Sequence, residues 1–83
     1  MVTINPNPII DEVTVNYTVS SDCKVSIKLL DSYGRILIDI LPDQITLSGE
    51  YMVKLNLHSF SNGIYFISMK SANNSITKKI IKL

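Results

Sequence analysis

Apolar and polar residues alternate with a period of two along most of the chain. In residues 13–19 the apolar side chains fall on one side of an extended segment, and Thr and Asn side chains fall on the other. This alternation is typical of a half-buried β-strand, and it recurs in four later segments. The predicted inward faces are Val13, Val15, Tyr17 and Val19; Val25, Ile27 and Leu29; Ile36, Ile38 and Ile40; Tyr51, Val53, Leu55 and Leu57; and Tyr65, Ile67 and Met69.

Short turn sequences separate these segments. Gly34 supplies the positive φ that a tight turn over residues 31–35 often requires. Pro42 and Gly49 are expected to bracket a looser connection, and Asn62-Gly63 reads as a turn into the next strand. Polar residues 71–75 precede a closing strand over residues 76–83, and residues 2–4 form a short first strand. The sequence therefore predicts an all-β fold, an immunoglobulin-like antiparallel β-sandwich of about seven strands.

The composition supports this fold and limits the possible functions. Of the 83 residues, 30 are Ile, Val, Thr, Tyr or Phe and one is Ala, which disfavours helix. With 46% hydrophobic residues, 18% charged residues and a net charge of +1, neither disorder nor bulk attraction to nucleic acid is indicated. We expect residues 1–83 to form a single domain excised from a larger secreted precursor.

Candidate reactive residues are few. His58 lies near Ser59 and Ser61, but the neighbouring sequence offers no acid to orient it. Cys23 is interpreted as a small packing residue, and the Asp11-Glu12 pair lacks the spacing of a calcium loop. We therefore expect no catalytic, cofactor-binding or metal site, no small-molecule substrate, and no enzymatic activity.

Positive charge is concentrated near the end of the chain, where Lys70, Lys78, Lys79 and Lys82 lie within 14 residues. These lysines either protect an exposed strand edge from pairing with other chains or form a recognition surface. In the second interpretation, Lys78 and Lys82 share one strand face with Ile80 between them and form an exposed docking strip.

Two further features have both a structural and a functional interpretation. Tyr65 stands where a tyrosine in immunoglobulin-like domains hydrogen-bonds back to the preceding corner. Pro6 and Pro8 fix an extended backbone ahead of the second strand.

Four motifs in this order resemble the C-terminal sorting domain of type IX secretion cargo in Bacteroidetes. They are Asn5-Pro6-Asn7-Pro8, Asp31-Ser32-Tyr33-Gly34-Arg35, Asn62-Gly63-Ile64-Tyr65-Phe66 and Lys78-Lys79-Ile80-Ile81-Lys82. The resemblance extends from Ile4 to Leu83. It departs from the family pattern at residues 51–57, which contain no tryptophan.

The resemblance implies a sorting signal carried by Pro6, Pro8, Gly63, Tyr65, Lys78 and Lys82. The implied partners are the type IX translocon, an outer-membrane shuttle protein and a sortase-like protease that removes the domain at or before Val2. The implied route passes through the periplasm, and the cargo is then anchored at the cell surface or released. We expect the terminal strand and its lysines to dock on the translocon by charge attraction or strand addition. The alternative is an accessory immunoglobulin-like or fibronectin-like module that binds carbohydrate or spaces domains in a secreted enzyme.

Overall fold

Seven strands make up the described part of the chain. The structure is a computed structural model that describes residues 2–5, 11–72 and 74–83. Its strands are β1 (Val2–Asn5), β2 (Glu12–Val19), β3 (Cys23–Asp31), β4 (Ile36–Thr46), β5 (Gly49–Asn56), β6 (Gly63–Lys70) and β7 (Ser75–Lys82). In the described part of the chain no helix could span a bilayer.

The strands form two antiparallel sheets. One sheet has three strands in the order β1-β2-β5, and the other has four in the order β4-β3-β6-β7. The chain crosses between the sheets after β2, after β4 and after β5. The predicted all-β, immunoglobulin-like β-sandwich is therefore confirmed.

The core lies between the sheets and is built by the predicted alternation. The inward residues of β2, β3 and β6 are buried, and Leu57 and Ile80 complete the centre. The inward residues of β5 are partly buried and pack against this centre. The predicted inward faces of β2, β3, β5 and β6 are confirmed.

The prediction for β4 is wrong in two respects. Ile36 was expected to point inward, but its side chain is 59% exposed because it pairs with outward-facing Leu30 after a register shift. Pro42 was expected in a loose connection, yet β4 runs on to Thr46 and only residues 47–48 lead to β5. Pro42 is tolerated there because β4 is an edge strand of its sheet and because its register with β3 shifts opposite residues 25–27.

The sandwich has two distinct ends. The connections after β2, after β4 and after β6 lie at one end. At the other, which we call the corner end, lie residues 32–35, residues 57–62 and the last residues of β7.

Candidate functional site at the corner end

The corner end brings together three of the four motifs noted in the sequence. Asp31 at the end of β3 pairs with Tyr65 at the start of β6, and Tyr65 pairs with Ile80 near the end of β7. Two residue pairs further out, Gly63 is the register partner of Lys82. Residues far apart in the sequence are therefore neighbours across adjacent strands.

Tyr65 holds the corner closed. Its hydroxyl donates a 2.6 Å hydrogen bond to the carbonyl of Ser61. The Ser61 Oγ atom also lies 3.3 Å from the Tyr65 hydroxyl oxygen. The buried ring meets Phe60 edge to face, with the centroids 6.1 Å apart. The hydrogen bond predicted for a corner tyrosine is confirmed.

A second tyrosine makes the same contact at the opposite end, which the sequence analysis missed. The Tyr51 hydroxyl donates a 2.6 Å hydrogen bond to the carbonyl of Leu47, again four residues earlier. Its ring stacks on Tyr17 at 5.2 Å, and burial together with the nearby Tyr51 raises the pKa of the Tyr17 hydroxyl. The available signal was the position of Tyr51 early in a strand, directly after a connection between the sheets.

Gly63 permits the backbone conformation at the start of β6. Its φ of 151° lies in a region that side chains with a Cβ rarely adopt, although an added Cβ would meet no atom within 4 Å. The glycine is therefore required by backbone conformation and not by close packing.

The two lysines assigned to the sorting signal have different environments. Lys78 is exposed, but Lys82 is only 6% exposed. Ile76, Lys78, Ile80 and Lys82 alternate on the inward side of β7, which buries Ile80 completely and the apolar stem of Lys82 with it. The expected exposed strip of Lys78 and Lys82 is therefore wrong for Lys82.

The turn between β3 and β4 is held by one carboxylate. Asp31 Oδ1 accepts hydrogen bonds from the backbone N–H groups of Tyr33 and Arg35, both at 2.9 Å, and Oδ2 accepts one from Arg35 Nε at 2.7 Å. Partial burial of Asp31 raises its pKa, but the bonds from Arg35 and Tyr33 outweigh this and lower the pKa overall. Gly34 has a φ of 84°, as predicted for this turn.

Pro6 and Pro8 lie outside the described residues. On one side of them, β1 ends at Asn5. On the other side, the backbone carbonyl of Asp11 accepts a 2.7 Å hydrogen bond from Leu57 N–H. Asp11 is thus joined to the corner, directly after the proline-containing segment.

Comparison with known families decides the affiliation of this chain. The family model described as the secretion system C-terminal sorting domain matches residues 3–83. The chain belongs to this family. Its function is that of a C-terminal sorting signal for type IX secretion in Bacteroidetes, which implies interaction with that secretion system and export to the cell surface or the extracellular space. A search of curated proteins found no match.

One polar pair in the sorting domain contradicts an expectation about His58. No orienting acid was expected, but Asp11 Oδ1 lies 3.2 Å from His58 Nδ1. Both side chains are exposed, and among the described contacts none joins His58 to a serine hydroxyl. The pair links residue 11 to the loop at residues 57–62, and sequence could not reveal it because the partners are 47 residues apart.

The remaining candidate sites of the sorting domain are clusters of metal-binding residues and a surface groove. In the described residues no group of three or more His, Cys, Asp or Glu side chains has metal-binding geometry. An open groove of about 510 Å³ separates the turn at residues 32–35 from the loop at residues 59–65. Exposed Tyr33 lies on its rim, with the Arg35 guanidinium 5.5 Å from the ring centroid. A sorting-signal domain is not itself catalytic.

Proposed function

We propose that the type IX machinery recognises this domain in its folded form at the corner end. The signal comprises Gly63, Tyr65 and Lys82 at the corner end and Lys78 further along β7, together with Pro6 and Pro8. The observation that carries this proposal is the pairing of Gly63 with Lys82 and of Tyr65 with Ile80, which makes the corner and the end of β7 one structural unit.

The proposal divides the signal residues into two classes. Tyr65 and Lys82 are buried, so they position the corner and the end of β7. Lys78 is exposed and therefore available to attract carboxylates on a partner. It lines a shallow groove of about 260 Å³ beside β1, where the terminal strands of the two sheets approach each other.

The proposed partners are the ones that the resemblance to the family implies. During transit through the periplasm, an outer-membrane shuttle protein and the translocon bind the folded domain. A sortase-like protease then cuts at or before Val2. Val2 is buried and begins β1, so a cut on its N-terminal side leaves the sandwich intact, whereas a later cut removes core residues. We infer that residues 1–83 are one domain of a larger secreted precursor and that they have no enzymatic activity.

Export of a fluorescent reporter fused to the domain tests the lysine assignment. In a bacterium with a type IX system, Lys78→Ala should reduce surface delivery about tenfold, the equivalent of about 1.4 kcal/mol of lost interaction. Lys54→Ala, an exposed lysine on the other sheet, is the matched control and should leave delivery unchanged. Equal delivery of both variants would refute a role for Lys78.

Lys82 needs a different substitution because its stem is buried. Lys82→Met keeps an unbranched apolar stem and removes the ammonium group, whereas Lys82→Ala also creates a cavity. If Lys82 only positions β7, Lys82→Met should be exported normally and Lys82→Ala should not. Loss of export in both variants, with normal thermal stability of Lys82→Met, would show that the charge itself is recognised.

A further inference from the structure

The two solvent-facing sides of the sandwich differ in composition. On the three-stranded sheet, nine of the ten described outward side chains are polar or charged, and Met52 is the exception at 62% exposed. The outward residues are Thr3, Asn5, Glu12, Thr14, Asn16, Thr18, Glu50, Met52, Lys54 and Asn56. This side has the composition expected for a sandwich surface in water.

The four-stranded sheet carries apolar side chains on its outward side. Leu30 pairs with both Ile36 and Phe66, and Ile64 pairs with Ile81, so the five side chains are linked across all four strands. Ile36 is 59% exposed and Ile64 is 42% exposed, while Leu30 and Phe66 are partly buried. We call these five residues the apolar patch, and it lies toward the corner end.

Basic residues occupy the other half of the same side. Lys24, Lys28 and Lys70 line a shallow groove of about 630 Å³ together with Asp43. Lys28 is 3.7 Å from Asp39, so the pair is nearly neutral, and Lys24 and Lys70 outnumber Asp43, which leaves this half with a small positive charge. We call this region the lysine half.

The apolar patch is not a requirement of the fold. The three-stranded sheet also packs its inward side against the core, although its outward residues are almost all polar. Linked apolar side chains on a solvated sheet favour aggregation and mark interaction sites. We propose that the outward side of the four-stranded sheet is a docking surface for a protein of the export machinery that presents an apolar strip bordered by carboxylates. This inference rests on the proposed recognition of the folded domain and adds a surface to it.

Charge complementarity favours this occupant over two others. If a second copy docked with its strands aligned and its apolar patch on this apolar patch, the two lysine halves would also face each other. That contact is repulsive. An anionic membrane would attract Lys24, Lys70 and Lys79 but would repel Asp39 and Asp43, which lie on the same side. A protein partner can place a carboxylate opposite each lysine and avoid the two aspartates.

Reporter export tests the surface with matched variants. Ile36→Thr combined with Ile64→Thr keeps β-branched side chains and removes exposed apolar area. We expect about a tenfold loss of surface delivery, as for the loss of a contact at the centre of an interface. Met52→Thr, the corresponding change on the other side, should remain at the wild-type level. Lys70→Glu should also lose about tenfold, whereas Lys54→Glu should not.

The reporter is a fluorescent protein unrelated to the natural cargo, so contacts between cargo and patch do not contribute. Thermal unfolding of each purified 83-residue variant identifies loss of folding. If the double variant is unfolded, Ile36→Lys alone tests the most exposed patch residue. Equal export of patch and control variants, while deletion of the whole domain abolishes export, would overturn the docking surface and leave the proposed function standing. If deletion has no effect, the proposed function itself fails.

Two binding measurements separate the other occupants. Flotation with phosphatidylglycerol vesicles that is lost in the double variant would assign the patch to a membrane and overturn the proposal. Sedimentation that shows a dimer in the wild type and a monomer in the double variant would assign it to a second copy, with the same consequence. A monomer that does not float, combined with the export defects above, supports a protein partner.

Discussion

Replacing Tyr65 with phenylalanine removes one hydroxyl group and leaves the ring in place. The wild-type hydroxyl donates to the carbonyl of Ser61 at 2.6 Å, and the ring packs against Phe60 at the corner. Because phenylalanine fills the same space, Tyr65→Phe creates no cavity. The variant therefore isolates the hydrogen bond that closes the corner.

The expected loss of stability follows from this geometry. A hydrogen bond of this kind contributes about 0.5–1.5 kcal/mol net, and an unsatisfied buried acceptor adds to the loss. Ser61 is exposed, so water can reach its carbonyl once the tyrosine hydroxyl is gone, and the added term is small. We expect a loss of about 1 kcal/mol, which lowers Tm by roughly 4–8 °C in a domain of this size.

Thermal denaturation followed by circular dichroism measures this change, and reporter export measures its effect on sorting. Tyr51→Phe is the matched control, since it removes an equally short bond to the carbonyl of Leu47 at the opposite end. Both variants should lose similar stability, but only Tyr65→Phe should impair export. Tyr33→Phe, at an 84% exposed tyrosine, should change neither quantity.

Two outcomes contradict this reasoning. An unchanged Tm in Tyr65→Phe would mean that the bond to Ser61 does not hold the corner. Equal export defects in Tyr65→Phe and Tyr51→Phe would mean that sorting responds to stability in general and not to the corner end.

Three other substitutions test the fold in different ways. Leu29→Ala removes a fully buried side chain and should cost about 2–5 kcal/mol in urea denaturation, and a cost under 1 kcal/mol would refute the packing described. Gly34→Ala should cost about 1–2 kcal/mol because φ is 84°, whereas an unchanged denaturation midpoint would refute that conformation. The Asp31 carboxyl has a pKa below its usual 3.8, so its contribution to stability is present above pH 3.8 and is lost as the pH falls through the lowered pKa. Asp31→Asn should therefore be less stable than wild type at pH 7, and a difference that does not shrink in acid would contradict this assignment.

Much of the fold could be predicted because burial here follows a period of two. In β2, β3 and β6 each inward position is apolar, so alternation alone indicates which side chains reach the core. The corner tyrosine could also be predicted, since its role depends on its position at the start of a strand after a turn.

The failures have physical causes that alternation does not contain. Three register shifts between β3 and β4 break the period, which turns Ile36 outward and allows Pro42 to remain in a strand. Lys82 is buried because its position on β7 faces inward, and a long apolar stem can meet that requirement despite the charge. The contact of Asp11 with His58 depends on the tertiary fold, and neither residue type signals the other.

The corner and the apolar patch are parts of one arrangement. Ile64 lies between Gly63 and Tyr65 in sequence, so the conformation of Gly63 and the hydrogen bond of Tyr65 fix where its outward side chain points. Ile64 also lines the groove next to the turn at residues 32–35, which joins the patch to the corner end. Buried residues such as Tyr65 and Lys82 can therefore affect recognition without touching a partner, because they position the outward side chains that do. For this reason Tyr65→Phe, at the buried corner tyrosine, and a polar change in the apolar patch should weaken export through the same docked state.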